Sequence, residues 1–228
     1  EAVIAGIAEG CRQAGCALIG GEMAEHPGAM EPGEFDLVGF AVGVVERNRV
    51  LPANVKPGDV IVGFASPGLR CNGYSLARRA LLDRAGRRLE DPAWKGAHHT
   101  LADELIRPSS IYAPTMRKLR EKLDVRAFAH ITGGGLPDNI ARVLPAHCDA
   151  LLWRGEWDEP RIFGEIQLAG DVSDDEMAHV FNLGIGMVAI VGPEDRFDTL
   201  DTVRAAGQEA WIVGEVSEGR GRVSITRK

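Results

Sequence analysis

Long apolar runs are missing from this sequence of 228 residues, because its longest ones, at 40–45 and 184–191, have only the length of a strand. A membrane-spanning helix needs about 20 consecutive apolar residues, so no membrane partner is predicted. An excess of positive charge is missing as well: 26 Lys and Arg residues stand against 33 Asp and Glu residues, for a net charge of −7. A general nucleic-acid surface depends on clustered Lys and Arg, so no nucleic-acid partner is predicted.

Cysteine is scarce and carries no metal-binding spacing. The four cysteines, Cys11, Cys16, Cys71 and Cys148, form no Cys-x-x-Cys pair and have no paired histidines nearby. A zinc site is therefore not expected, and reduced thiols in a cytoplasmic protein are predicted. The first residues have no Met, no basic segment and no cleavage motif, so no leader peptide is predicted. Because they have helical spacing, we expect the chain to begin inside a domain.

The hydrophobic pattern divides the chain near residue 50. A helix is predicted over 1–14, where Gly15 ends it, and strands are predicted at 16–19 and 35–47. Beyond residue 50, strands and helices alternate, which favours a layered α/β domain. The strands are predicted at 60–65, 125–131, 183–191 and 211–216. The helices are predicted at 74–84, 101–123 with breaks at Pro108 and Pro114, from Gly135 to Arg142, and at 159–169, 174–181 and 193–206. Residues 1–49 are thus interpreted as the end of one domain and residues 50–228 as a second, α/β domain.

The clearest candidate for chemistry is the stretch 130–135, which lies between a predicted strand and a predicted helix. Three consecutive glycines there leave backbone N–H groups unshielded, and a helix N-terminus favours a phosphate. Thr132 adds a hydroxyl group, and His130 lies close to the same loop. A tight strand-to-helix turn capped by Thr132 explains these residues equally well.

A second candidate loop, 66–75, also follows a buried strand. Asn72 and Gly73 indicate a turn, and Ser75 is a plausible N-cap. Arg70 and Asn72 offer a permanent cation and an amide to a polar ligand. The simpler alternative is an ordinary capped turn with an exposed Arg70.

Two further stretches are weaker candidates. Gly20 and Gly21 precede Glu22 and Glu25, whose carboxylates are suitable Mg²⁺ ligands, although acidic loops are usually only solvated. The glycines at 184 and 186 lie within a predicted strand, where glycine weakens packing unless another group approaches closely. They do not form a dinucleotide-binding fingerprint, because no helix follows them.

These four stretches occur together, with the same order and spacing, in one enzyme family. They are AGCALIGGEMAEHPG (14–28), SPGLRCNGYSLAR (66–78), AHITGGGLPDNIARVLP (129–145) and VFNLGIGM (180–187). The sequence resembles the C-terminal two-thirds of aminoimidazole ribonucleotide synthetase, also called phosphoribosylformylglycinamidine cyclo-ligase. The resemblance implies the end of an N-terminal, ATP-binding sheet domain that forms a homodimer, followed by a complete C-terminal α/β domain.

The resemblance also implies a reaction and its participants. ATP activates the formamide oxygen of formylglycinamidine ribonucleotide, an amidine nitrogen closes the ring, and aminoimidazole ribonucleotide, ADP and phosphate are released in purine biosynthesis. ATP, Mg²⁺ and a small ribonucleotide substrate are the ligands this implies. His130 is implied as the general acid/base, because its ordinary pKa suits proton transfer near neutrality. The implied substrate or phosphate contacts are Asn72, Gly73, Ser75, Thr132, Gly133, Gly134 and Asn182, and the implied ATP-side residues are Gly21 and Glu22, with Glu22 also a candidate Mg²⁺ ligand.

The sequence departs from the family pattern at four positions in these stretches. Met23 and Val180 replace Thr, Arg70 replaces His, and Cys71 replaces Ser. The ATP-contacting segment of the family lies upstream of the position that matches residue 1, so we expect the isolated chain to be inactive. The alternative is a non-catalytic or divergent fragment of the same ATP-binding superfamily.

Overall fold

The computed structural model describes residues 1–31 and 33–227. The chain divides into two compact units, Glu1–Val50 and Leu51–Lys228. No helix within the described ranges has the length and apolar character needed to cross a membrane.

The first unit contains one long helix. Helix α1 covers Ala2–Ala14 and ends, as predicted, at Gly15, whose φ of 69° is left-handed. The strands predicted at 16–19 and 35–47 are wrong: the described residues of this unit form no strand, and only a short 3₁₀ turn follows at Arg47–Arg49. A strand exists only when another strand accepts and donates its backbone hydrogen bonds. An apolar run gives no information about whether such a partner is present.

The second unit contains the remaining helices and all strands that the described residues form. The strands are β1 (Val60–Ala65), β2 (Val125–His130), β3 (Cys148–Arg154), β4 (Ile185–Val191), β5 (Ala210–Glu218) and β6 (Val223–Arg227). The helices are α2 (Tyr74–Arg78, continued as a π-helical turn at Arg79–Arg84), α3 (Leu101–Leu105), α4 (Ala113–Lys122), α5 (Gly135–Ala141), α6 (Arg161–Gly170), α7 (Asp174–Val180) and α8 (Arg196–Ala205). Pro114 does not break a helix as predicted, because it lies in the first turn of α4, where its missing N–H has no partner to lose.

The six strands form one sheet in the order β2-β4-β1-β5-β3-β6. Only the β3–β6 pair is parallel; the other neighbouring strands are antiparallel. Helix α5 packs its Leu136 and Ile140 on one face of the sheet, and α4 and α8 pack Leu119 and Val203 on the other. These layers confirm the predicted α/β class.

The sheet order brings the predicted chemistry to one place. Because β1 and β2 both run antiparallel to β4, they are parallel to each other and end at the same edge of the sheet, where β4 begins. Ala65 at the end of β1 pairs with Ile185, and His130 at the end of β2 pairs with Met187. The loops that follow β1 and β2 therefore meet the loop that precedes β4.

Candidate active site

Three loops converge at this sheet edge: the β1 loop (66–73), the β2 loop (131–134) and the β4 loop (181–184). Backbone hydrogen bonds join them directly. The Ser66 N–H donates to the Gly184 carbonyl at 2.7 Å, and the Ile131 N–H donates to the Gly186 carbonyl at 3.1 Å. Three of the four stretches singled out in the sequence are thus brought together, whereas the fourth, around Gly21 and Glu22, belongs to the first unit.

His130 is the last residue of β2 and its side chain is solvent-accessible. Partial desolvation beside the sheet, helped by the positive charge of Arg70, lowers the pKa of His130 below its ordinary value of 6.5. The imidazole is therefore mainly neutral at pH 7 and has a ring nitrogen available to accept a proton.

The β2 loop is organised by Asn139, a residue of α5 that is 3% exposed. Its amide nitrogen donates to the carbonyls of Gly135, Gly133 and Thr132 at 2.7, 3.2 and 3.3 Å, and its oxygen accepts from the Thr132 hydroxyl at 3.2 Å. With the loop carbonyls turned towards Asn139, the N–H groups of Gly133 and Gly134 donate no hydrogen bond within the ranges that the structure describes. Two backbone donors are therefore available at this loop. Helix α5 has only seven residues, so the loop offers an anion these two backbone donors and not the N-terminus of a long helix.

Asn139 was not predicted as a site residue. The sequence nevertheless contained a signal for this role. Asparagine is unfavourable in helix interiors, and Asn139 lies one helical turn after the glycines. In that position its amide faces the carbonyls of the loop that begins the helix.

The β1 loop differs from its prediction in two respects. Arg70 is 7% exposed rather than an exposed turn residue. The N-cap of α2 is Gly73, with a φ of 80°, whereas Ser75 lies within the first turn and is exposed. The helix begins at Tyr74, as its predicted range did, and Gly73 before it adopts a left-handed conformation that glycine tolerates.

Asn72 and Gly73 lie at the contact between the loops. A Cβ atom added to Gly133 would lie 3.7 Å from the Asn72 Oδ1 atom, which places the amide beside the β2 loop. Gly73 is covered by Val180 and the Phe181 ring, so that a Cβ there would lie 2.7 Å from the Phe181 Cδ1 atom. The packing of Val180 explains why an apolar residue is suitable at this departure from the family pattern.

Asn182 is buried, with 4% exposure, and all its polar atoms are used by the protein. Its amide nitrogen donates to the Gly68 carbonyl at 2.8 Å and the Leu69 carbonyl at 3.5 Å, and its oxygen accepts from the Gly184 N–H at 2.8 Å. This geometry makes Asn182 a clamp between the β1 and β4 loops. The predicted contact between Asn182 and the substrate stays a prediction. These hydrogen bonds give it no support, because they already use the amide nitrogen and oxygen.

The clamp gives a measurable expectation. We expect Asn182→Ala to lower the free energy of unfolding by about 1–3 kcal/mol, because buried carbonyl and N–H groups lose their partners. Asn72→Ala is the matched control, since Asn72 is half-buried, and its expected effect is within about 0.5 kcal/mol. Equal urea midpoints for the two variants would contradict the assignment of Asn182 as a clamp.

Gly21 and Glu22 are exposed residues of an irregular segment in the first unit. Nowhere in the described ranges do three or more His, Cys, Asp or Glu residues form a group that could hold a metal ion. Glu22 alone does not make a Mg²⁺ site, since that ion demands octahedral oxygen coordination. The predicted ATP-side and metal roles of these residues stay predictions.

Comparison with protein families gives two matches in chain order. Residues 1–45 match the family described as AIR synthase related protein, N-terminal domain, and residues 56–226 match AIR synthase related protein, C-terminal domain. Curated relatives named phosphoribosylformylglycinamidine cyclo-ligase include one from Anaeromyxobacter sp. (strain Fw109-5), 50% identical over 97% of this chain and 64% of its own length. Another, from Symbiobacterium thermophilum, is 48% identical over 100% of this chain and 66% of its own length. The chain thus spans about two-thirds of the length of these relatives.

A solved structure with the same fold is T. maritima PurL complexed with FGAR. It has a TM-score of 0.50 and 17% identity, and the likeness covers 82% of this chain and 28% of that chain. T. maritima PurL complexed with ATP has a TM-score of 0.50 and 15% identity over 82% of this chain and 26% of that chain. At these identities the likeness concerns the fold alone.

Proposed function

This chain belongs to the AIR synthase related protein family, and we propose that it is the substrate-side part of an ATP-dependent cyclo-ligase that closes the imidazole ring of aminoimidazole ribonucleotide. The observation that carries the proposal is the convergence of the β1, β2 and β4 loops at the sheet edge where β2 ends in His130. Each of these loops is part of one of the four stretches that resemble the family.

His130 acts as the general base in this proposal. Ring closure forms a bond from an amidine nitrogen of the substrate to the formyl carbon, and the activated oxygen leaves as phosphate. The attacking nitrogen must then lose a proton, and a neutral imidazole can accept it. Support comes from the accessible position of His130 and from its lowered pKa, which keeps the ring neutral at pH 7.

The β2 loop binds the phosphate of the ribonucleotide in this proposal. The N–H groups of Gly133 and Gly134 donate to phosphate oxygens, and the Asn72 amide lies beside the same loop. Asn139 supports this role by holding the loop carbonyls away from the bound anion, so that repulsion between oxygen atoms is avoided. Thr132, Gly73 and Ser75 complete the predicted lining, and Ser75 is exposed.

ATP is the proposed phosphoryl donor, bound by the protein of full family length. Gly21 and Glu22 are proposed as ATP contacts, and a homodimer is proposed for that longer form. The described residues do not by themselves fit Mg²⁺, so no step of the reaction is derived through it. We expect no turnover from residues 1–228 alone, in line with a chain that spans 64% of a relative's length.

The test is ADP release with formylglycinamidine ribonucleotide as substrate. The chain is assayed alone and as a chimaera in which it replaces the matching part of the Anaeromyxobacter sp. (strain Fw109-5) relative. We expect turnover from the chimaera and none from the chain alone. A folded chimaera that releases no ADP would contradict the proposal and would favour the alternative of a non-catalytic fragment.

A further inference from the structure

Arg70 is a buried cation that carries no ion pair. Among the described residues no carboxylate lies within ion-pair distance of its guanidinium group, although the side chain is 7% exposed. A buried charge costs free energy unless other groups compensate it. Its compensation comes from backbone carbonyls and from the hydroxyl group of Tyr112, which are dipoles and leave the net charge in place.

The guanidinium joins the ends of two strands. Its Nη1 atom donates to the Gly186 carbonyl at 3.0 Å, and its Nη2 atom donates to the Ile131 carbonyl. Ile131 directly follows His130, and Gly186 directly precedes its pairing partner Met187. Arg70 therefore continues the β2–β4 hydrogen bonding by one step beyond the last strand pair. Because Arg70 belongs to the β1 loop, its side chain connects that loop to the end of β2 and to the start of β4.

Two backbone features are consistent with a fixed position for this side chain. Arg70 itself has a φ of 61°, a conformation that is uncommon for a residue with a Cβ atom. Gly186 has no room for a side chain, because a Cβ there would lie 2.5 Å from the Arg70 Nη1 atom and would overlap the Tyr112 hydroxyl group. The glycine within β4, which the sequence left unexplained, thus accommodates the close approach of Arg70 and Tyr112.

We propose that Arg70 is a positioning residue of the candidate site, which ties the β1 and β2 loops to the start of β4 and places an unneutralised positive charge beside His130. This inference rests on the proposed function for its biological meaning, but its geometry does not depend on turnover. Among the described residues, Arg70 is the charged group that acts on His130, whose strand neighbour Met187 is apolar.

The experiment measures the titration of His130 by NMR in the 228-residue chain and its variants. Arg70→Met removes the charge, and we expect the pKa of His130 to rise by about 0.5 unit or more, because a like charge nearby disfavours the imidazolium form. Arg70→Gln removes the charge but keeps an amide donor for the carbonyls, and it gives the same readout if Arg70→Met does not fold. Arg70→Lys retains the charge and is expected to keep the pKa of His130 close to that of the parent chain.

Arg107→Met is the matched control. Arg107 also contacts the β1 loop, donating to the Pro67 carbonyl at 3.2 Å, but its charge lies beside the buried Glu104 carboxylate. The pKa of His130 should be unchanged in this variant. An unchanged pKa in both Arg70→Met and Arg70→Gln, or an equal rise in the Lys, Met and Gln variants, would overturn the inference.

Failure of this inference can be told apart from failure of the proposed function. If the chimaera is inactive while the pKa of His130 still rises in Arg70→Met, the positioning role stands and the cyclo-ligase assignment falls. If the chimaera turns over while the pKa does not respond to Arg70, the assignment stands and the positioning role falls.

Discussion

Replacing His130 with alanine should lower the turnover of the chimaera by about 10²–10⁴-fold, the usual contribution of a general acid or base. The imidazole is a titratable side chain at the end of β2, next to the converging loops, and it is accessible to a ligand. Because the side chain is exposed at a strand end, its loss should change the free energy of unfolding by less than about 1 kcal/mol. The measurement is ADP release at saturating substrate, together with a urea unfolding curve.

The pH profile gives an independent check of the same role. A general base must be neutral, so activity should fall as the pH drops through the pKa of His130, and that pKa is lowered from 6.5. The acid limb of the parent profile should therefore have its midpoint below pH 6.5 and should disappear in His130→Ala. His147→Ala is the control, since His147 is also exposed but lies before β3, away from the three loops. A loss of activity of similar size in both variants would contradict the role of His130.

Replacing Gly135 with alanine should lower the free energy of unfolding by about 3 kcal/mol or more. Its φ of 60° is left-handed, which costs about 1–2 kcal/mol for a residue with a Cβ atom. The added Cβ would also overlap the Ala178 carbonyl oxygen at the end of α7 and lie 3.0 Å from the Phe181 carbonyl oxygen. Neither backbone group can move without displacing the β4 loop, and overpacking of this kind costs about 1–3 kcal/mol.

Gly133→Ala is the matched control within the same run of glycines. The nearest atom to its added Cβ is the Asn72 Oδ1 atom at 3.7 Å, an ordinary contact, and its φ is not left-handed. We expect a change below about 1 kcal/mol in unfolding free energy. The comparison is made from urea unfolding curves at equal protein concentration. Equal destabilisation by the two substitutions would show that Gly135 is not needed for the close packing of α5 against α7.

These two glycines also show what the sequence can and cannot predict. The run of three glycines predicted a loop with accessible backbone donors, and the strand before it and the helix after it are confirmed. The sequence did not reveal that the glycines have different tasks. Gly135 allows helix α7 to pack closely, whereas the Gly133 and Gly134 N–H groups have no partner in the described residues. That division depends on contacts with residues about 45 positions away.

Strands β1, β2, β4 and β5 were predicted from the sequence, whereas β3 and β6 were missed. All seven residues of β4 are buried, and its apolar run predicted it directly. Strand β3, whose residues alternate between buried and half-buried, lacks a long apolar run, and β6 is a short strand at the sheet edge. The opposite error occurred at 35–47, where an apolar run predicted a strand that the described residues do not pair.

The burial of Arg70 could not be predicted from its neighbours in the sequence, because it depends on contacts with distant residues. An arginine next to a turn is usually exposed. Its burial depends on the carbonyls of Ile131 and Gly186, which the sheet brings together from positions 61 and 116 residues away. Only the sheet order, in which β4 lies between β1 and β2, makes this contact possible.

In the proposed function, the converging loops bind the phosphate end of a ribonucleotide. The most direct measurement is an NMR titration of the ¹⁵N-labelled chain with formylglycinamidine ribonucleotide, observing the amides of Gly133 and Gly134 and the ring of His130. We expect saturable shifts at these groups, reproduced in part by ribose 5-phosphate. Saturable shifts confined to other parts of the chain, or no shifts at substrate concentrations that saturate the chimaera, would contradict it.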